Sequence, residues 1–288
     1  MSLQSAALYV VATPIGNLQD LSPRAREVLS QVDLVAAEDT RHTRQLFRHF
    51  GIDTPLTAVH EHNERERVPE LLAELAAGRR LALVSDAGTP LVSDPGFRLV
   101  RAARLAGYRV IAVPGPSSLL AALSVAGLPT DRFVFEGFLP AKPAARRARL
   151  AALAAETRTL VFFESSHRIA ECLADMRAAF GDAREAVVAR ELTKLFEELL
   201  GGTLAEVEAG VAADANRRRG EFVVMLQGAE ARDEQAPDAE VERVLAILLD
   251  EVPVKQAVSL AARLTGRRKN ALYALATSIA AHKKVVIE

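Results

Sequence analysis

Two aspartates, two glycines and two prolines crowd the loop of LALVSDAGTPLVSDPG, Leu81 to Gly96, directly behind the apolar run Leu81 to Val84. Asp86 puts a negative charge where a phosphate would be repelled. Gly88 lets a backbone come close to a ligand, and Pro90, Pro95, Pro114 and Pro116 stiffen this loop and a later one. Such a pocket, built of carbonyls and one carboxylate, suits a ligand with an adenosine and an ammonium group but no phosphate. S-adenosylmethionine is a ligand of that kind. The alternative is that Asp86 only builds a turn by accepting backbone N–H bonds. Neither a Gly-x-Gly-x-x-Gly fingerprint nor a Walker loop occurs, so dinucleotide and nucleoside-triphosphate chemistry is not signalled.

Other groupings carry acid, base or cation chemistry. In AAEDTRHTRQLFRHF, apolar residues give way to Glu38, Asp39, Arg41 and His42 at a strand-to-helix corner. Glu38 or Asp39 is an acid/base candidate there and Arg41 a phosphate ligand; capping by Asp39 or Thr40 is the structural alternative. ARELTKLFEE places Lys194 just after a buried strand, either to favour an ionised hydroxyl or to pair with Glu191 or Glu197. FFESSHRI offers Glu164, His167 and Arg168, or a helix start capped by Ser165 or Ser166. In HEHNE, Asn63 and Glu64 are either nucleotide contacts or a solvated loop. His60 and His62 would share one face of a strand, which makes a poor metal-ligand set; we expect no metal.

Cations cluster in three places: Lys142, Arg146, Arg147 and Arg149; Arg217 to Arg219; and Arg267, Arg268 and Lys269. The net charge is only -1 over 288 residues, so the clusters imply localised positive faces as much as solvated ones. With 11 Phe, 3 Tyr and no Trp, extended base-stacking platforms are not expected. Contact with phosphates through these cations fits the composition better.

The elements that must hold these groups recur regularly. LYVVAT from Leu8, DLVAAE from Asp33, LTAVHEH from Leu56, LALVSD from Leu81 and VIAVPG from Val110 read as strands with helical patterns between them. Ser22 followed by Pro23 reads as an N-cap with proline at the first helical position. This alternation predicts a parallel sheet covered on both faces. Its ligands would sit beyond the carboxyl ends of the strands, which is where the loop after Val84 lies. A helix near Leu119 to Ala126 leads to RFVFEGFL, RTLVFFESS, EAVVARELT and EFVVMLQG, with fewer helices between them, so a mixed sheet is expected.

The predicted domains are residues 1–117, 118–228, a polar linker at 229–239 and a helical module at 240–288. In that module Leu260, Leu264, Leu272 and Leu275 are expected on the inner faces of two helices split at Thr265 and Gly266, in a helix-turn-helix shape. Its charge is eight basic against five acidic residues. The lone cysteine, Cys172, allows no intrachain disulfide and reads as a core thiol. The start has no basic n-region, and prolines interrupt the longest apolar stretch. A cytoplasmic protein without membrane attachment is expected.

In order along residues 7 to 228, LYVVATPIGNLQDLSPRA, AAEDTRHTRQL, HEHNE, LVSDAGTPLVSDPGFRLV, VPGPSS, FEGFLPAK, FFESSHR and RELTKLFEE closely resemble the small-subunit ribosomal RNA 2′-O-ribose methyltransferases of the tetrapyrrole-methylase fold. The helical module resembles that family's accessory segment. The chain departs from the family pattern at Ser166, where proline is expected. The resemblance implies an α/β fold of two α/β/α domains, the first with a mainly parallel sheet, plus a C-terminal helix-turn-helix-like module. It implies S-adenosyl-L-methionine in the cleft between the domains, lined by Pro14, Ser85, Asp86, Ala87, Gly88, Leu91, Val92, Ser117 and Ser118. From the second domain, Phe163, Glu164, Glu191 and Leu192 would close over the adenine. The implied substrate is a cytidine ribose in the decoding region of 16S ribosomal RNA, alone or in the small subunit. Glu38, Asp39, Arg41 and Lys194 are the catalytic candidates. Arg41, Asn63, Lys142, Arg146, Arg147, Arg267, Arg268 and Lys269 are the RNA-contact candidates, and a homodimer is expected. A tetrapyrrole methylase and a non-catalytic RNA-binding assembly factor are the other readings.

Overall fold

The computed structural model describes residues 6–230 and 239–285. The chain divides into two compact units, Met1–Ala229 and Glu230–Glu288. The first unit holds two five-stranded sheets. Sheet one contains β1 (Ala7–Val11), β2 (Leu34–Ala37), β3 (Leu56–Ala58), β4 (Leu81–Val84) and β5 (Arg109–Val113) in the order β3-β2-β4-β1-β5. Every pairing in it is parallel.

Alternate side chains of these strands serve two cores. Val35, Ala37, Ala82 and Val84 face α1 (Pro23–Gln31) and α2 (Thr40–Phe50), while Ala36, Leu81 and Leu83 face α3 (Glu64–Ala76) and α4 (Phe97–Leu105). The α1 start is as expected: the Ser22 hydroxyl accepts from Ala25 N at 3.0 Å, with Pro23 at the first helical position. β4 is buried along its whole length. The central place of that strand is what delivers the loop after Val84 to the middle of the sheet's carboxyl edge.

After α5 (Ser118–Val125), sheet two contains β6 (Phe133–Phe138), β7 (Thr159–Ser165), β8 (Glu185–Arg190), β9 (Glu198–Thr203) and β10 (Glu221–Leu226), ordered β6-β7-β10-β8-β9. β6 pairs with β7 in parallel and the other pairings are antiparallel, so this sheet is mixed. Leu160, Phe162, Val188 and Val224 pack under α6 (Pro143–Leu153), α7 (Ile169–Phe180) and α8 (Leu204–Ala213). Val161, Val187, Ala189 and Val223 face the other way, against α5 and Ile15. Cys172 lies wholly within the first of these cores, and burial raises its thiol pKa far above the ordinary value; it is a packing residue.

Two expectations for this lobe need correction. Helices are not sparse: KPAARRARL is most of α6, and helices also follow β7 and β9. β9 was not anticipated; its Gly201 and Gly202 weaken a strand interior, and it pairs only at the sheet's edge.

The second unit holds α9 (Ala239–Glu251), α10 (Val254–Thr265) and α11 (Lys269–Val285). Gly266, in the left-handed conformation at φ 70°, ends α10, as the Thr265-Gly266 break predicts. Leu272 is buried and Leu275 packs against the same core. Leu260 and Leu264 do not form the inner face; they are 36% and 70% exposed. Ala257, Val258 and Ala261 point inward instead, since small residues let three short helices approach closely. Most of the expected linker, 231–238, lies outside the described residues. Among the described residues no helix is long and apolar enough to cross a membrane.

Candidate active site

The loop after β4 is pinned on three sides. Thr13 and Gly88 exchange backbone hydrogen bonds at 2.9 and 3.0 Å, and the Thr89 hydroxyl donates to Pro116 O at 3.0 Å. On the third side the Asp86 carboxylate accepts from Asp39 N at 3.0 Å, while Asp86 N donates to Glu38 Oε2 at 3.4 Å. Gly88 has φ 83°, and a Cβ there would sit 3.3 Å from Ile15 Cγ2, so this glycine packs closely against Ile15. The segment then crosses towards the other sheet. A Cβ on Gly137 of β6 would lie 2.9 Å from Ser93 Oγ.

Among the described residues, five non-glycine residues have φ between 49° and 75°, and four of them, Leu91, Ser93, Glu191 and Thr193, sit in two loops at the junction of the sheets. Such backbone strain persists only where surrounding structure enforces it, and it concentrates at functional sites. Between these loops lies a cavity of about 350 Å³, within the size range of small-molecule sites.

Its walls come from both lobes. Glu38, Asp86, Ala87, Gly88, Val92, Ser117, Ser118, Phe163, Glu164 and Leu192 line it; Glu38 is an acid/base candidate from the sequence and the others are cofactor candidates. Ile15, Thr89, Ser93, Asp94, Phe138, Glu221 and Val223 also line it and were not anticipated. Glu221 and Val223 reach the site because antiparallel β10 sets them opposite Ser165 and Phe163 of β7. Only the topology carries that signal. Phe163 is held by Phe135 and Phe138, with ring centroids at 4.8 and 5.7 Å. Its lining includes five carboxylate side chains and no lysine, arginine or histidine. That chemistry favours a cation and disfavours a phosphate.

The carboxylates differ. Burial and the nearby Asp86 and Asp39 raise the Glu38 pKa. Burial, with Glu38 and Asp86 adding to it, pushes Asp94 up to about 6, and the Ser85 hydroxyl only partly offsets this. Glu164 is buried; its Oε1 accepts from Ser165 N at 2.8 Å and its Oε2 lies 3.4 Å from Arg168 Nη2.

Several expected residues take other positions. Asp39 caps α2, accepting from Arg41 N at 2.8 Å, and the Arg41 guanidinium grips the same carboxylate at 2.7 Å. That guanidinium holds Asp39 far below the usual carboxylate range; in this structure Asp39 is the α2 cap and the partner of Arg41. Ser85 is buried, and Pro14, Leu91 and Glu191 do not line the cavity. The positive φ of Leu91 turns its side chain onto the α3–α4 core. Glu191 Oε1 accepts from Glu221 N at 2.9 Å and from Lys194 Nζ at 2.8 Å, and Lys194 also donates to Glu221 at 2.9 Å. Burial lowers the lysine's pKa, but these hydrogen bonds outweigh it and the net shift is upward. Lys194 is therefore a protonated brace one residue behind the wall.

Among the RNA candidates, Asn63 is a loop brace. Its amide accepts from His60 N at 2.8 Å and donates to Ala58 O at 3.1 Å. Glu64 is buried and caps α4, accepting from Arg98 N and Leu99 N at 2.7 and 3.1 Å. Arg146 is 3% exposed and donates to Asp175 at 2.7 Å, so it pins α6 to α7 rather than facing solvent. Lys142 and Arg147 are exposed on the same helix, with Arg147 3.7 Å from Asp175. Arg267, Arg268 and Lys269 lie at the α10–α11 junction. His60 and His62 occupy a turn after β3, not a strand. Neither Ser165 nor Ser166 caps α7, whose N-cap residue is Arg168.

Comparison with known proteins agrees with this geometry. Residues 7–208 match the model for tetrapyrrole (corrin/porphyrin) methylases, and residues 235–280 match one for an RsmI C-terminal HTH domain. The chain is 60% identical over 266 residues to ribosomal RNA small subunit methyltransferase I of Xylella fastidiosa (strain Temecula1), covering 92% of this chain and 97% of that one. It is 58% identical over 272 residues to the same-named protein of Pseudomonas aeruginosa, covering 94% and 96%. Among solved structures, a cobalt precorrin-4 methyltransferase matches with TM-score 0.57 at 17% identity, over 77% of this chain and 95% of that one. Uroporphyrin-III C-methyltransferase of Thermus thermophilus, complexed with S-adenyl homocysteine, matches with TM-score 0.53 at 21% identity, over 77% and 97%. These two likenesses bear on the fold alone. The chain belongs to the tetrapyrrole methylase family, in its branch of ribosomal RNA small subunit methyltransferases I.

Proposed function

We propose that this protein transfers the methyl group of S-adenosyl-L-methionine to the 2′-hydroxyl of a cytidine in the decoding region of 16S ribosomal RNA. The observation that carries this reading is the cleft itself: five carboxylates, no basic residue and an aromatic wall, joined by two strained loops. A sulfonium with an ammonium and an adenosine matches that lining, and a phosphorylated ligand does not. The relatives named above bear small-subunit ribosomal RNA in their names. A ribosomal substrate also points to action in the cytoplasm and favours RNA over a free tetrapyrrole as acceptor.

The donor supplies an electrophilic methyl carbon. The chain's own work is placement, and good placement of reacting groups is worth roughly 7–11 kcal/mol. Asp86 and Glu38 offer negative charge on the first lobe, and Phe163 and Leu192 offer an apolar wall on the second. Glu191, Lys194 and Glu221 hold the second lobe's loop in its strained form. Outside the cleft, exposed Arg41, Lys142 and Arg147, with the Arg267–Lys269 cluster, are proposed to meet phosphates. We further propose a homodimer, which sedimentation would reveal as twice the 31.0 kDa chain mass.

Calorimetric titration with S-adenosylmethionine, followed by methyl transfer to naked 16S RNA, to assembled small subunits and to a tetrapyrrole, tests the function. Saturable binding and a 2′-O-methylcytidine located by mass mapping are the expected results. Asp86→Ala should weaken donor binding by roughly 10- to 100-fold, the scale of a charge-assisted contact of about 1.5–3 kcal/mol. Methylation of the tetrapyrrole alone would overturn the reading, and binding without transfer to any acceptor would favour an assembly factor.

A further inference from the structure

Helix α2 starts at the cleft wall and carries charge of one sign. Its cap, Asp39, donates its backbone N–H to the Asp86 carboxylate at 3.0 Å, and Asp86 lines the cleft. From there Thr40–Phe50 holds Arg41, Arg44 and Arg48, with His42 and His49, and no acidic residue. Thr43, Leu46 and Phe47 turn inward, which leaves the three arginines and both histidines exposed. Arg41, Arg44 and Arg48 follow one another at i, i+3 and i+7 and form a ridge. His42, Gln45 and His49 form the ridge beside it.

Arg41 is spent on Asp39, but Arg44 and Arg48 engage no carboxylate among the described residues. Many other arginines of this unit are taken up: Arg79 by Glu74, Arg80 by Asp33, Arg149 by Glu136 and Arg177 by Asp182. Helix stability does not explain the arrangement. Cations suit the last turn of a helix, which accounts for Arg48 and His49 alone. Arg44 lies mid-helix, one turn before Arg48, and like charges at that spacing repel. An anion laid across both removes the repulsion. Beside them runs a groove of about 550 Å³ between α2 and the segment leading into β3, lined by Arg44, Arg48, Gly51, Pro55 and Leu56. Asp53 also lines it, so two guanidinium groups outnumber one carboxylate and the groove is positive.

We propose that the RNA strand leaves the cleft along this groove, with Arg44 and Arg48 each meeting a backbone phosphate. The proposal rests on the function stated above and adds the path of its substrate. At about 1.5 Å per residue, Arg44 and Arg48 stand roughly 7.5 and 13.5 Å along the helix from Asp39. The phosphates they meet therefore belong to nucleotides beyond the one in the cleft. Guanidinium forks match phosphate oxygens in pairs, and His42 and Gln45 are placed to hydrogen-bond the same strand. Contacts of this kind position a nucleic acid without reading its bases.

The test uses the full-length protein and 16S RNA. Each lost phosphate contact removes about 0.7–0.9 from the slope of log affinity against log salt. Arg44→Ala with Arg48→Ala should therefore bind the RNA roughly 25- to 60-fold more weakly at about 0.1 M salt, with the difference fading near about 1 M. In methyl transfer the KM for RNA should rise by a similar factor, while kcat and the calorimetric affinity for S-adenosylmethionine stay within about twofold. Arg44→Lys with Arg48→Lys should recover most of the slope, because lysine also neutralises a phosphate. Arg177→Ala should change none of these, since Asp182 holds that arginine. An unchanged slope in the double alanine variant, an equal loss in Arg177→Ala, or a drop in donor affinity overturns the docking surface and leaves the methyltransferase reading standing. An unchanged slope together with lost binding to phosphatidylserine vesicles would give the groove to a lipid surface. A wild-type chain that transfers no methyl group to RNA overturns the methyltransferase reading, and the salt slope of RNA binding then decides the groove by itself.

Discussion

Asp94 sits where ionisation costs more in the folded protein than in the unfolded chain, so its charge works against stability. Its pKa moves from 3.8 to about 6 on folding. Below 3.8 both states are protonated and nothing is lost. As pH rises towards 6 the unfolded chain ionises first, and stability falls by the difference. Asp94→Asn removes that penalty. Its Tm should exceed the wild-type value at pH 7.5, and the gain should vanish near pH 4; equal melting at both pH values would contradict the raised pKa. Residue chemistry was only partly legible in the sequence. The stretch quoted first contains both Asp86 and Asp94, but only Asp86 was singled out. What marks Asp94 is the positive φ of its neighbours and the approach of Gly137, a residue distant in sequence. Asn63 and Glu64 misled for the opposite reason: polar residues beside a strand end look free until their backbone partners are known.

At the scale of elements, strand and helix periods were readable and the direction of each side chain was less so. β1 to β5 fall where the apolar runs predict; β1, β2 and β4, buried on both faces, need no register to be recognised. Arg146 shows the limit. Its basic cluster looks solvated, yet one turn of α6 sends Arg146 inward to Asp175 while Arg147 stays out. Removing one partner of a buried pair strands the other, at a typical cost of about 3–5 kcal/mol. Arg146→Ala should therefore lower the urea midpoint sharply while leaving the salt dependence of RNA binding intact; Arg147→Ala should do the reverse. A second element-scale prediction concerns the Asp94 loop. Gly96→Ala combines a left-handed φ with a contact on Leu83, and strain of this sort costs of order 1–3 kcal/mol. Equilibrium unfolding should register that loss, and donor affinity should fall with it as the loop shifts.

For the whole molecule, the division of labour follows from where the cleft residues lie in the chain. All of them fall between Ile15 and Val223, inside the first compact unit. The helical unit is distinguished by its own cluster, Arg267, Arg268 and Lys269. Sequence periodicity identified its helices and their break at Gly266 but assigned Leu260 and Leu264 to the wrong face. Two leucines four residues apart define a stripe without saying which side the partners lie on. If the cluster meets phosphates, each contact releases condensed counterions and steepens the fall of log affinity with log salt by about 0.7–0.9. The triple variant Arg267→Ala, Arg268→Ala, Lys269→Ala should then bind 16S RNA more weakly at low salt, with a slope shallower by roughly 2–3. Its calorimetric affinity for S-adenosylmethionine should equal that of the wild type. An unchanged slope would remove the cluster from the RNA surface. A changed donor affinity would show instead that the two units are energetically coupled.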